Sequence, residues 1–157
     1  MDIHRIVKRL IKRYETRNPL TIAKELGIYI EYKNYTDDTK GYFINLLRNK
    51  FIVVNSNLNE HDQQIVLAHE LGHAILHSSR GTCMIREYTL FPRGIHENEA
   101  NKFAAELLID ETTISKEQLA EMSIDQLSCF FCTPQELISY KFDNYNDNII
   151  KHYNYKN

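Results

Sequence analysis

The stretch Gln63-Gln64-Ile65-Val66-Leu67-Ala68-His69-Glu70-Leu71-Gly72-His73-Ala74-Ile75-Leu76-His77 lies at the middle of the 157-residue chain and decides its fold. It reads as a helix. Ile65, Leu67, Ala68, Leu71, Ala74, Ile75 and Leu76 cover most of its circumference, so the helix belongs in a core. Asn59 with Asp62 supplies a cap and a capping-box start, and no proline interrupts before Ser78. On such a helix His69 and His73 sit about 40° apart, one turn above each other. Both imidazoles can reach one ion. Glu70 lies about 60° round from His73, placed to address a ligand of that ion rather than the ion itself. This is the H-E-x-x-H spacing of zinc hydrolases: two ligands and a general base on one helix. The competing reading is a pair of hydrogen-bonded core histidines, since a buried helix must satisfy its polar groups somehow.

A three-ligand site needs a carboxylate from elsewhere. Residues 97–109 return to helical spacing, with Ala100, Phe103, Ala104, Leu107 and Leu108 as the apolar stripe. Glu97 and Asn101, four apart, flank its margin. A third ligand from a second helix, with a partner one turn on to orient a ligating histidine, is what a His-His-Glu site requires.

Upstream, residues 28–32 alternate and are β-branched or aromatic. Residues 42–47 and 50–54 read as two more strands joined by the short polar turn Arg48-Asn49. The expected fold is α+β: a small sheet of about three strands, mostly antiparallel, packed with a zincin-type helical core. Its edge could bind an extended peptide strand. Asn18-Pro19 caps a helix that Gly27 ends. Thr21 to Gly27 looks like the first half of a helix-turn-helix, but a strand follows where the recognition helix is needed. Residues 2–15 form an amphipathic helix whose basic face is read as solvated rather than membrane- or DNA-bound. Residues 114–121, Ser123 to Phe131, and Thr133 to Phe142 read as short helices, the last two capped by Ser123 and Thr133. The segment 78–96 reads as an irregular cover for the cleft, and the tail after about 143 as loosely ordered.

Bulk properties narrow the class. The length suits one domain spanning 1–157. A net charge of -2 gives no global pull toward nucleic acid or anionic membrane. Lys8, Arg9, Lys12 and Arg13 interrupt any apolar leader, and no apolar run spans a membrane. Three cysteines without a secretory signal indicate a reducing cytoplasm and free thiols, with Cys129 and Cys132 buried at a helix end. His77 is no third ligand on geometry: it lies about 12 Å along the axis from His69. For an oxyanion donor opposite Glu70, the candidates are Tyr88, Arg86, His77 and His96.

His69-Glu70-Leu71-Gly72-His73-Ala74-Ile75-Leu76-His77, followed by Glu97-x-Glu99-Ala100-Asn101-x-Phe103-Ala104-Ala105-Glu106-Leu107-Leu108, resembles the ImmA/IrrE family of zinc metallopeptidases. The likeness covers about residues 18–142. It implies a compact gluzincin-like domain with Zn²⁺ held by His69 and His73 and with Glu70 as the base. It implies Glu97 as third ligand over Glu99, because a Glu-x-x-x-Asp/Asn pattern recurs in related peptidases, and this places Asn101 behind a ligand histidine. It also implies a cytoplasmic regulatory peptidase, often from a phage or mobile element, that cleaves or inactivates a helix-turn-helix repressor. The alternative from the same resemblance is a non-proteolytic zinc protein that binds a repressor or other partner. Direct nucleic-acid or membrane binding is not expected. The chain departs from the family where a Met-Pro commonly ends the second motif: here the residues are Ile109-Asp110. No DNA-binding domain is fused at the N-terminus, so the repressor would be a separate protein.

Overall fold

A computed structural model describes residues 1–77 and 94–142. The expectations for residues 78–93, including Cys83, Arg86 and Tyr88, and for the tail from 143 lie outside those residues. The chain divides into two compact units, Met1–Leu108 and a second beginning at Ile109.

The first unit starts with helix α1 (Ile3–Tyr14), capped by the Asp2 side chain accepting from the Arg5 amide. Ile3 and Val7 are buried, whereas Lys8, Arg9, Lys12 and Arg13 are exposed. Helix α2 (Pro19–Glu25) follows, with Asn18 Oδ1 accepting from the amides of Leu20 and Thr21. Its end is a Schellman turn: Gly27 has φ +70°, and the Ile28 amide donates back to the Ala23 carbonyl at 2.9 Å.

Strands β1 (Tyr29–Lys33), β2 (Gly41–Leu46) and β3 (Asn49–Asn55) form one sheet in the order β1-β3-β2. The expected hairpin is antiparallel, with Leu46 opposite Asn49. β1 lies on the other side of β3 and runs parallel to it, Tyr29 opposite Phe51. The sheet is therefore mixed. The hairpin turn is Leu47-Arg48, one residue earlier than the polar pair Arg48-Asn49 suggested. Both residues have positive φ, 50° and 68°, the geometry of a two-residue type I′ turn. Asn55 shapes the crossover from β1: its amide nitrogen donates to the Thr39 carbonyl at 2.8 Å and its oxygen accepts from the Tyr35 amide.

Helix α3 (Glu60–Leu76) leaves the sheet with the Asn59 side chain accepting from the Asp62 amide. Residues 65–74 are buried without a break. Helix α4 (Ile95–Leu108) packs against α3. The crossing is close at Gly72, where an added Cβ would sit 3.2 Å from Ala100 Cα and from Phe103 Cβ. Gly41 lets β2 approach α3 in the same way, since a Cβ there would meet Val66 and the Val53 carbonyl. Arg17 closes the far end of α4 by donating to the carbonyls of Glu106 and Leu107.

The second unit holds a short 3-10 turn (Glu111–Thr113), α5 (Lys116–Glu121), α6 (Ile124–Phe131) and a helix over residues 135–142. Ser115 and Ser123 each make a complete capping box. Leu119, Leu127, Leu137 and Ile138 are buried. Cys129 and Cys132 are exposed free thiols rather than buried ones. Cys132 stands past the last turn of α6 as its C-cap, in the left-handed conformation. No helix among the described residues is long and apolar enough to cross a membrane.

Candidate metal centre

His69 and His73 stand one turn apart on the buried length of α3. Glu97 sits in the first turn of α4, where the helix dipole favours an ionised carboxylate. The α3–α4 crossing brings the three together. His69 Nε2 and His73 Nε2 are 3.0 Å apart, and Glu97 Oε2 lies 3.2 Å from the first and 3.1 Å from the second. Around a tetrahedral zinc with bonds of about 2.0–2.1 Å, neighbouring ligand atoms lie about 3.3 Å apart. The triangle therefore fits a zinc-sized ion with shifts of a few tenths of an ångström. Its nitrogen and carboxylate donors suit such an ion.

The triangle is nearly dry. The side chains of His69, His73 and Glu97 are 4%, 1% and 12% exposed, so an ion there would meet solvent mainly on the Glu97 side. Burial holds the His73 imidazole below its ordinary pKa against the opposing hydrogen bond from Glu97, and His69 and His77 push the same way as burial. A neutral imidazole is the form that ligates. Glu70, next in sequence to His69, is fully buried. Lys50 ties β3 to α3 by donating from Nζ to the Ala74 carbonyl at 2.7 Å.

Asn101 lies one turn beyond Glu97, and its Oδ1 is 2.7 Å from His69 Nδ1. An amide oxygen only accepts, so His69 donates from Nδ1, and in the neutral ring this leaves Nε2 bare toward the triangle. Glu99, the other carboxylate weighed from the sequence, does not join the three. Its Oε2 is 2.9 Å from His77 Nε2, and that hydrogen bond pulls the Glu99 carboxyl below its usual pKa. His77 also stays out of the triangle, with its Nδ1 3.1 Å from His73 Nδ1. His96 is half-exposed beside this pair, 3.6 Å from Glu99. Sequence reasoning missed the His77–Glu99 contact. The signals were there in part: His77 is four residues past His73, and Glu99 two past Glu97.

A peptidase-family model described as the IrrE N-terminal-like domain matches residues 23–143. An "Uncharacterized immunity region protein 2" of Bacillus phage phi105 is 39% identical over 135 residues, covering 86% of this chain and 85% of the relative. A "Metallopeptidase ImmA" of Bacillus subtilis (strain 168) is 28% identical over 137 residues, covering 86% and 80%.

Proposed function

We propose, since the chain belongs to the peptidase family of IrrE N-terminal-like domains, that it is a cytoplasmic zinc-dependent endopeptidase acting on a helix-turn-helix repressor. One observation carries the catalytic part: three metal-type donors from two helices converge within 3.2 Å, and the residue after His69 on the same helix is a fully buried Glu70. In this reading His69, His73 and Glu97 hold the ion, and Asn101 holds the His69 ring. Zinc bound there supplies Lewis acidity, polarising the scissile carbonyl and bringing the pKa of the attacking water toward 7. Glu70 accepts the proton of that water and returns it to the leaving amine. The carboxylate is already desolvated, so it keeps no hydration shell that the substrate must displace. In this reading an extended stretch of substrate adds as a strand to an edge of the three-stranded sheet. The repressor as substrate is supported by the immunity-region name of the phage relative and by the motif resemblance.

Glu70→Gln tests this reading, because it keeps the shape and removes the base. Zinc content and melting temperature should match wild type, while cleavage of a purified candidate repressor should fall by roughly 10³-fold. A variant that still relieves repression, with the repressor intact, would replace the peptidase with a binding regulator.

A further inference from the structure

His77 is buried, lies outside the donor triangle, and faces a triangle member on one side and an acid on the other. Its Nδ1 is 3.1 Å from His73 Nδ1, and its Nε2 is 2.9 Å from Glu99 Oε2. Protons can be assigned around this chain by elimination. Two nitrogens at that distance form a hydrogen bond only when one is bare and the other protonated. If His73 turns a bare Nε2 to an ion, its proton sits on Nδ1. His77 Nδ1 must then be bare and accept it. A neutral His77 therefore carries its proton on Nε2, facing a carboxylate. Every donor meets an acceptor.

Together His77, His96 and Glu99 could also hold a metal ion of their own. The same proton count opposes that use while the first site is filled. Ligation through His77 Nε2 would move the proton to Nδ1, against the N–H of His73. One ring would have to lose a second proton.

We propose that His77, anchored by Glu99, is a positioning residue that fixes the tautomer and orientation of His73, so that the two ligand histidines are held by different devices: Asn101 for His69 and the His77–Glu99 pair for His73. This rests on the metal site proposed above. It predicts one zinc per chain, not two.

The test uses the full chain and zinc alone. Competition against a fluorescent chelator should give a stoichiometry of one for wild type. His77→Phe, which keeps a ring and removes both nitrogens, should weaken zinc binding roughly 10- to 100-fold. His77→Gln, which keeps an acceptor and a donor, should recover most of that loss. Long-range ¹H–¹⁵N spectra of the zinc-loaded wild type should show His77 as the Nε2–H tautomer, a readout that does not depend on any variant folding. Two zinc ions in wild type, with one lost in His77→Phe, would make the cluster a second metal site and overturn the proposal. So would an unchanged affinity in His77→Phe, or the Nδ1–H tautomer. Wild type that binds no zinc overturns the metallopeptidase reading itself, and is seen before any variant is made.

Discussion

A histidine must be neutral to bind a cation, and burial alone biases His73 that way. Its folded-state pKa lies below the ordinary 6.5, chiefly because the charged ring would be desolvated. The consequence for stability has a definite sign. Above pH 6.5 the ring is neutral in both folded and unfolded chains and contributes nothing. As pH falls below 6.5 the unfolded chain takes up a proton that the folded one resists, so stability drops until the folded pKa is passed. Metal-free protein should therefore lose denaturant resistance between about pH 6.5 and 5.5, and His73→Gln should lose less over that interval. Urea melts in chelator at both pH values check this; equal losses would show that Glu97 compensates the charge. Asn101 makes a second residue-scale case. Asn101→Ala strips the acceptor from His69 Nδ1 and should weaken zinc binding roughly 10- to 100-fold, whereas Asn101→Asp should not. Chelator competition measures both.

At the scale of elements, the site is a crossing of two helices, and Gly72 sets its closeness. The contacts a side chain would meet there include the Ala100 backbone, which cannot swing aside. Gly72→Leu should force α4 away from α3 at a cost of about 2–3 kcal/mol. Because Glu97 rides on α4 and the histidines on α3, zinc affinity should fall with it, by more than tenfold. Gly72→Ala is the milder control, since helix propensity returns about 1 kcal/mol. Thermal melts and zinc titrations of the pair separate packing from ligation. Much of this level was legible in the sequence. Asn18, Asn59 and Ser123 mark helix starts because their side chains cap by local chemistry. The i, i+4 spacing put His69 and His73 on one face. The hairpin turn slipped by one residue because Leu47 and Arg48 adopt positive φ without the Asn or Gly that announces it. The parallel pairing of β1 was not legible either, since alternation tells which face a residue takes but not which strand it joins. The His77–Glu99 contact depends on the register of α4 against α3, which no spacing within one helix encodes.

For the whole molecule, all three donors of the metal triangle belong to the unit Met1–Leu108, and none to the unit that begins at Ile109. Metal bound only to the folded form stabilises by RT ln(1 + [L]/Kd), about 4 kcal/mol at a thousandfold excess over Kd. That energy goes to whatever unfolds together with the site. If the two units open independently, saturating zinc should slow exchange of the slowest amides of α3 and α4 by about 10³-fold and leave those of α5 and α6 unchanged. Native-state hydrogen exchange in zinc and in chelator reads both at once. An equal gain in α5 and α6 would mean that the chain unfolds as one cooperative block. In that case the helices after Leu108, remote in sequence from every donor, would share the stability that the metal confers, and a destabilising change such as Leu137→Ala would lower the protection of the slowest amides of α3 and α4 by the same factor as its own. With independent units the same substitution should leave the protection of α3 and α4 where it was.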